Sequence, residues 1–411
     1  MANNNKHTGP NVPALRFPEF SGEWTKIKLG DLGSFFSGGT PSSSRKDFYG
    51  GEIPFIRSGE LHSDSTALSI TKEAYNSCSA KMVNKGDLLL ALYGATSGDI
   101  SISRISGAIN QAILCIRPQY MDAYFIKSLW EKHKKHILET YLQGGQGNLS
   151  SEIIKNISFF FPNSDEQVKI SRLIHIIDDR IETQSKIIEE LTALRSALYD
   201  SMFCSPEQEM PKFRIQSFSG KWQLCQLNEI CSRKSIKNKD NLYSRVLTIA
   251  AQHGLVDQES FFKKRIASEN LESYLCLEKG DFAYNKSYSS DYPWGAVKRL
   301  SNFDKGIISP LYICFTPKPE VVDPDYLAHY FESTKWHSGI SEISGEGARN
   351  HGLLNMSVID YFNTCHRIPG LDEQKAIARR LNAIAHKLQT EQEYLELLNR
   401  QKDCFLKQMF I

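Results

Sequence analysis

The chain repeats itself, and that duplication limits its fold more than any other feature. Phe20-Ser21-Gly22-Glu23-Trp24 recurs as Phe218-Ser219-Gly220-Lys221-Trp222, 198 positions later. Leu29, Asp31 and Leu32 match Leu227, Glu229 and Ile230 at the same offset, and Lys85-Gly86-Asp87 returns as Lys279-Gly280-Asp281. Arg117-Pro118 falls where Thr316-Pro317 stands. Each half ends alike: Asp165-Glu166-Gln167 opens a segment closing on Met202-Phe203, and Asp372-Glu373-Gln374 opens one closing on Met409-Phe410, 207 positions on. Matched beginnings, middles and ends mean two copies of one structural unit.

The first part of each copy reads as short strands between turn residues: Ile53 to Arg57, Asp87 to Tyr93, Ala112 to Arg117, and Leu311 to Thr316. Gly38-Gly39-Thr40-Pro41 and Tyr49-Gly50-Gly51 punctuate them. Ala123 to Leu142 and Tyr326 to Ile340 carry apolar residues three and four apart and are expected to be helical. The order is mixed α/β (α+β), without the regular alternation of a doubly wound sheet.

The second part of each copy is a long helix with a 4,3,4,3 apolar spacing. In the first it runs Ile170, Ile174, Ile177, Ile181, Gln184, Ile188, Leu191, Arg195, Leu198, Met202; in the second Ile377, Leu381, Ile384, Leu388, Glu391, Leu395, Leu398, Lys402, Phe405, Met409. Eight of ten positions are apolar in each, with the polar exceptions at equivalent places. Such a repeat is a coiled-coil seam, and the matched seams predict that the helices pack on each other rather than separately. An in-register pair brings Gln184 and Glu391 together near the middle. Ser164 and Gln167 have capping-box spacing at the first helix start. The expected boundaries are 1–163 and 205–371 for two similar domains, and 164–204 and 372–411 for the helices. A helix of this size is roughly 58 Å long.

Catalytic motifs fare poorly. Asp323-Pro324-Asp325-Tyr326 lacks the second proline of an adenine methyltransferase loop and suits a helix start. Glu373-Gln374-Lys375 resembles part of a nuclease site, but its first-copy equivalent is Glu166-Gln167-Val168, so the acid is read as favouring a helix N-terminus. Gly94-Ala95-Thr96-Ser97-Gly98 has no following Lys to make a phosphate loop. His133-Lys134-Lys135-His136 lacks neighbouring metal ligands and reads as a solvated helix face.

Two variable α/β domains, each followed by a long helix opening with Asp-Glu-Gln after Pro162 or Pro369, resemble the specificity subunit of type I restriction–modification enzymes. The Ser37-Gly38-Gly39-Thr40-Pro41 loop and the Trp24 and Trp222 motifs resemble it too; in the second half Ser235 to Leu242 stands near the place of that loop. The resemblance implies two target recognition domains and an antiparallel helix pair in a pseudo-two-fold repeat. It implies a non-catalytic chain that reads an asymmetric, bipartite double-stranded DNA target. Two methyltransferase subunits and two motor-nuclease subunits are the implied partners. S-adenosylmethionine, ATP and Mg are then expected on those partners, with no cofactor and no metal on this chain.

The net charge is only +2, so a DNA-binding surface must be local. Donors in glycine-bearing loops are the candidates: Gln146 and Asn148 within 144–148, and Arg349, Asn350 and His351 within 345–351. Gln and Asn can pair with adenine and Arg with guanine, although either loop also suits an ordinary surface connection. Ser43, Arg45, Lys46 and Tyr93 are added in the first half, and Lys286 and Tyr288 in the second, with Lys263-Lys264-Arg265 and Lys298-Arg299 as further basic runs. Nine cysteines without a C-x-x-C pair suit reduced thiols, and with no signal peptide or apolar span a cytoplasmic, non-membrane protein is expected.

Overall fold

Leu88-Leu89-Leu90-Ala91 is apolar at every position because both its faces are covered. Leu88 and Leu90 enter one core with Trp24, Phe125 and Trp130. Leu89 and Ala91, on the other face, enter a second core with Ile56, Val83 and Ile113. This strand is the hub of the first unit.

The computed structural model describes residues 11–142, 148–264, 270–345 and 352–411, apart from the Asp240 side chain. The first half runs β1 (Thr25–Lys28), β2 (Gly33–Ser37), β3 (Tyr49–Ile56), β4 (Ser69–Ile70) and α1 (Lys72–Ser77). Next come β5 (Lys81–Val83), β6 (Leu88–Ala91), β7 (Ile100–Ile102), β8 (Gly107–Ile109) and β9 (Ile113–Pro118). Helices α2 (Ala123–Leu142) and α3 (Ser151–Asn156), strand β10 (Ser158–Phe161) and the long helix α4 (Ser164–Met202) complete it. One antiparallel sheet has the order β2-β9-β6-β7. A mixed sheet has the order β4-β3-β8-β5, with β3 and β8 parallel, and β1 pairs with β10.

The second half opens with β11 (Gln223–Gln226), α5 (Leu227–Ile230), β12 (Cys231–Arg233), β13 (Val246–Ala250), β14 (Gly254–Asp257) and α6 (Gln258–Phe262). It continues with β15 (Leu275–Glu278), β16 (Phe282–Asn285), β17 (Ala296–Arg299), β18 (Lys305–Ile308) and β19 (Ile313–Pro317). Helices α7 (Pro324–Glu332), α8 (His337–Ile343) and α9 (Val358–Phe362), strand β20 (Cys365–Ile368) and the long helix α10 (Leu371–Met409) follow. The sheets are β12-β19-β16-β17, β14-β13-β18-β15 and β11-β20, the same orders again, with β13 and β18 parallel. The duplication is therefore structural as well as sequential.

Packing divides the chain differently from the expected boundaries. One unit holds the residues up to Ser185 together with Glu393–Ile411, and the other holds Lys186–Gln392. Each 39-residue helix gives one half to each unit, because each half buries its seam in the nearer core. In the first unit Ile170 and Ile174 share a core with Leu406, Met409 and Phe410. Within it Lys402 lies 2.7 Å from Asp178, and Arg180 donates to the Tyr394 hydroxyl at 2.6 Å, so rising numbers on α4 meet falling numbers on α10. In the second unit Tyr199, Met202 and Phe203 share a core with Ile377, Ala378 and Leu381. In the first unit the helix halves are antiparallel.

Burial follows the seam. Ile174, Leu381, Leu388 and Leu398 are buried, while Ile181, Ile188, Leu191 and Leu395 are half-buried. Among the polar exceptions Gln184 is buried, and half-buried Glu391 pairs with Lys387. Lys402 sits between Glu131 (2.9 Å) and Asp178. Burial pulls its ammonium pKa down, but the two carboxylates outweigh that and hold it above the usual value.

Three local expectations are corrected. The helix expected over 326–340 breaks at Ser333–Trp336, where the Ser333 hydroxyl bonds the Tyr330 carbonyl and the Trp336 indole turns inward to the Phe331 carbonyl at 3.1 Å. The first long helix is capped by Asn163, whose Oδ1 accepts from the Glu166 N–H at 2.9 Å, rather than by a Ser164–Gln167 box. The His133 run is a solvated face only in part: Lys135 and His136 are exposed, but the His133 Nε2 lies 2.9 Å from the Ile411 carbonyl and Lys134 is tied to Asp99. Asp323 caps α7 as its sequence suggests, accepting from the Asp325 and Tyr326 N–H groups.

Candidate nucleic-acid interface

Both glycine-bearing loops leave the fold at the same point. In the first unit the Leu149 N–H donates to the Leu92 carbonyl at 2.9 Å, just past the end of β6. In the second the Leu354 N–H donates to the Lys286 carbonyl at 2.9 Å, just past the equivalent strand β16. The Tyr288 N–H adds a bond to the Gly352 carbonyl at 3.1 Å. Tyr93, Lys286 and Tyr288 are therefore brought to the loop stems, and Asn148 is exposed beside Leu149. Gln146, Arg349, Asn350 and His351 lie outside the described residues, as does Arg265.

Three of the other basic candidates, Arg45, Lys298 and Arg299, have intramolecular duties. Arg45 is exposed, pairs with Asp47 at 2.5 Å and Glu73 at 3.3 Å, and lies 4.1 Å over the Phe48 ring. Ser43 and Lys46 beside it are exposed. Lys298 holds Glu332 and Arg299 holds Asp325, each at 2.6 Å. These two cations brace α7 against β17 rather than forming a free basic face.

The Gly38-Gly39-Thr40-Pro41 loop has a steric reason for its glycines. A Cβ on Gly38 would sit 1.7 Å from the Ile109 carbonyl oxygen, and one on Gly39 would sit 2.1 Å from the Ser79 hydroxyl. Pressed against the fold in this way, the loop carries Thr40 to Gln111, where its hydroxyl donates to the amide oxygen. Burial raises the phenol pKa of half-buried Tyr93, and the neighbouring Gln111 works against that rise. Gln111 is exposed, and sequence reasoning missed it. Its one signal was its position immediately before a buried strand.

The Asp-Glu-Gln motifs are structural. Arg16 holds Glu166 by two bonds of 2.7 Å and donates to the Gly22 carbonyl at 2.6 Å. Arg214 repeats this with Glu373 at 2.8 and 2.7 Å and with the Gly220 carbonyl at 2.6 Å. Gly22 and Gly220 have φ of 85° and 95°, which only glycine adopts readily, and the Trp that follows each is buried. Gln167 and Gln374 donate to the carbonyls of Pro162 and Pro369, both at 2.9 Å. The acids at 166 and 373 thus form buried ion pairs rather than simply favouring a helix dipole.

Among the described residues no cluster of three or more His, Cys, Asp or Glu side chains is placed to hold a metal ion, and no helix is long and apolar enough to cross a membrane. The arrangement puts polar side chains at equivalent stems in two duplicated units, Asn148 exposed and Tyr93, Lys286 and Tyr288 half-buried.

Known proteins resemble this arrangement. A family described as the type I restriction modification DNA specificity domain matches residues 21–193. The MjaVIII specificity subunit of a type I restriction enzyme from Methanocaldococcus jannaschii is 23% identical over 410 residues, 94% of this chain and 91% of the relative. The MjaIX specificity subunit from the same organism is 25% identical over 285 residues, which span 66% of this chain and 63% of that relative's length. In fold, the S subunit of a type I restriction–modification system from M. genitalium matches with a TM-score of 0.61 at 15% identity, covering 97% of this chain and 99% of that one.

Proposed function

Because the chain belongs to the type I restriction–modification specificity subunits, we propose that each of its two units reads one half of a bipartite DNA target. The observation that carries this reading is the pair of equivalent loop stems, Leu149 on Leu92 and Leu354 on Lys286. Their backbone is shared, while the side chains around them differ. Two similar folds with different outward chemistry suit two half-sites of different sequence, read by donors and apolar contacts in the major groove.

In this reading the chain supplies recognition and not catalysis. Two methyltransferase subunits and two motor-nuclease subunits would bind it, bringing S-adenosylmethionine, ATP and Mg with them. Gln146, Asn148 and Tyr93 would serve the first half-site, and Lys286, Tyr288, Arg349, Asn350 and His351 the second. Ser43, Arg45 and Lys46 would lie toward the DNA backbone, where phosphate contacts set position rather than sequence.

Exchange of residues 12–163 for the same region of another specificity subunit tests the reading. Methylated sites mapped in a genome expressing the hybrid with its methyltransferase should change in one half of the motif only. A change spread over both halves would overturn the assignment of one half-site to each unit.

A further inference from the structure

Asn110 and Ser309 open the same four-residue turn, one into β9 and the other into β19. In the first, the Ile113 N–H donates to the Asn110 carbonyl at 3.3 Å and the Ala112 N–H to the Asn110 Oδ1 at 3.2 Å. In the second, the Tyr312 N–H donates to the Ser309 carbonyl at 3.1 Å and the Leu311 N–H to the Ser309 Oγ at 3.4 Å. The hydrogen bonds correspond one for one. The outward side chains do not. The first turn exposes Gln111, and the second exposes Pro310 and Leu311, the latter 67% exposed. A large aliphatic group that far into solvent leaves most of its apolar surface in water.

The first turn also lies beside the loop stem. The Leu92 N–H donates to the Ala112 carbonyl at 2.8 Å, and the Leu92 carbonyl accepts from Leu149. Gln111 is held by the Thr40 hydroxyl on its Oε1. Thr40 is itself fixed, because Gly38 and Gly39 are pressed against Ile109 and Ser79. An amide oxygen has two lone pairs and an amide nitrogen two hydrogens, so this contact leaves an acceptor and the amide's donors for a ligand. A side chain already held in place loses little rotamer freedom when it binds.

We propose that this turn is a base-reading element in both units: Gln111 reads an adenine in the first half-site, and Leu311 packs on a thymine methyl in the second. The free acceptor and donor of Gln111 match adenine's N6–H and N7 in the major groove, and the thymine C5 methyl is the apolar group that groove displays. The inference rests on the reading of this chain as a DNA specificity subunit. It assigns base contacts to a turn outside the glycine-bearing loops.

The test maps methylated sites in genomes expressing the complete complex with Gln111→Ala, Gln111→Glu or Leu311→Ala. Gln111→Ala should lower discrimination at one adenine of one half-site by about 5- to 150-fold, leaving the other half-site unchanged. Gln111→Glu keeps an acceptor but loses the donor, so preference at that position should move toward cytosine, whose N4 amine donates. Leu311→Ala should relax a thymine in the opposite half-site. An unchanged motif at wild-type stringency in all three variants would overturn the proposal. So would a uniform fall at every site with no change of motif, which marks Gln111 as a tie between loops. If Gln111→Ala fails to assemble, the near-isosteric Gln111→Glu and the separate Leu311→Ala still decide the matter. A wild-type complex that methylates without sequence preference would instead remove the proposed function itself.

Discussion

Arg16 grips Glu166 through two hydrogen bonds of 2.7 Å, with side chains only 2% and 0% exposed, across 150 residues of chain. The pair fastens the segment before the first domain to the start of the long helix. Removing one partner leaves a buried charge without its counter-ion. Arg16→Met should therefore destabilise the first unit by about 3–5 kcal/mol, and adding Glu166→Leu should recover most of the loss. Arg214 and Glu373 are somewhat more exposed, at 16% and 6%, so breaking them should cost less. A double-mutant cycle followed by thermal unfolding measures both pairs.

Acid should weaken the second unit through His366. Its ring is 2% exposed, 3.0 Å from the Tyr330 hydroxyl and 2.8 Å from the Thr364 hydroxyl. Burial pushes its pKa down to about 4, against about 6.5 unfolded. The folded state favours the neutral ring, so this contribution is complete above about pH 6.5 and declines as protons bind the unfolded chain. Between pH 6.5 and 4 the loss should reach about 3 kcal/mol. Urea unfolding across that range should show a shallower pH slope in His366→Gln; an identical slope would rule the histidine out as its source.

The end of α10 and Phe410 after it should be indispensable to the first unit. Leu406, Met409 and Phe410 are buried in its core, and Lys402 is tied to Glu131 and Asp178. Each large apolar side chain is worth about 1.5–3 kcal/mol when buried. Ending the chain after Cys404 should unfold the first unit while Lys186–Gln392 keeps its cooperative transition. Limited proteolysis with mass spectrometry would show which fragment survives.

Gly38→Ala should damage the first half-site alone. The new methyl would meet the Ile109 carbonyl oxygen, which cannot swing aside as a side-chain tip can. We expect a cost of about 1–3 kcal/mol and displacement of Thr40 from Gln111. Methylation mapping should show loosened reading in one half of the motif. A motif unchanged in both halves would mean that the loop is held for stability only.

Features with a local period were legible in the sequence. The seam was, because a seven-residue spacing repeated in both copies shows directly in Ile174, Leu381, Leu388 and Leu398, all of which are buried. Strands β6 and β9 were, because a run apolar on both faces has few alternatives. The Arg16–Glu166 pair was not, since no periodicity links residues 150 positions apart. The signal was there to find: Arg214 stands 198 positions after Arg16, at the offset of the Phe-Ser-Gly motif. The break at Ser333 was hidden because Trp336 keeps helical apolar spacing while its ring serves the core. Of the candidate site, composition pointed to the loops, but Gln111 has meaning only once Thr40 and Tyr93 are beside it.

The split of the first unit between residues up to Ser185 and Glu393–Ile411 fixes an order of events at the ribosome. Lys186–Gln392 is one uninterrupted stretch, and all of its core has been synthesised before the final helix ends. The first unit, although begun first, lacks Leu406, Met409 and Phe410 until the end of α10 has been synthesised. At roughly 5–20 residues per second, its strands wait on the order of ten to forty-five seconds with that part of their core open. The half made second can therefore fold first, and the nascent first half is the one that needs protection from aggregation while it waits.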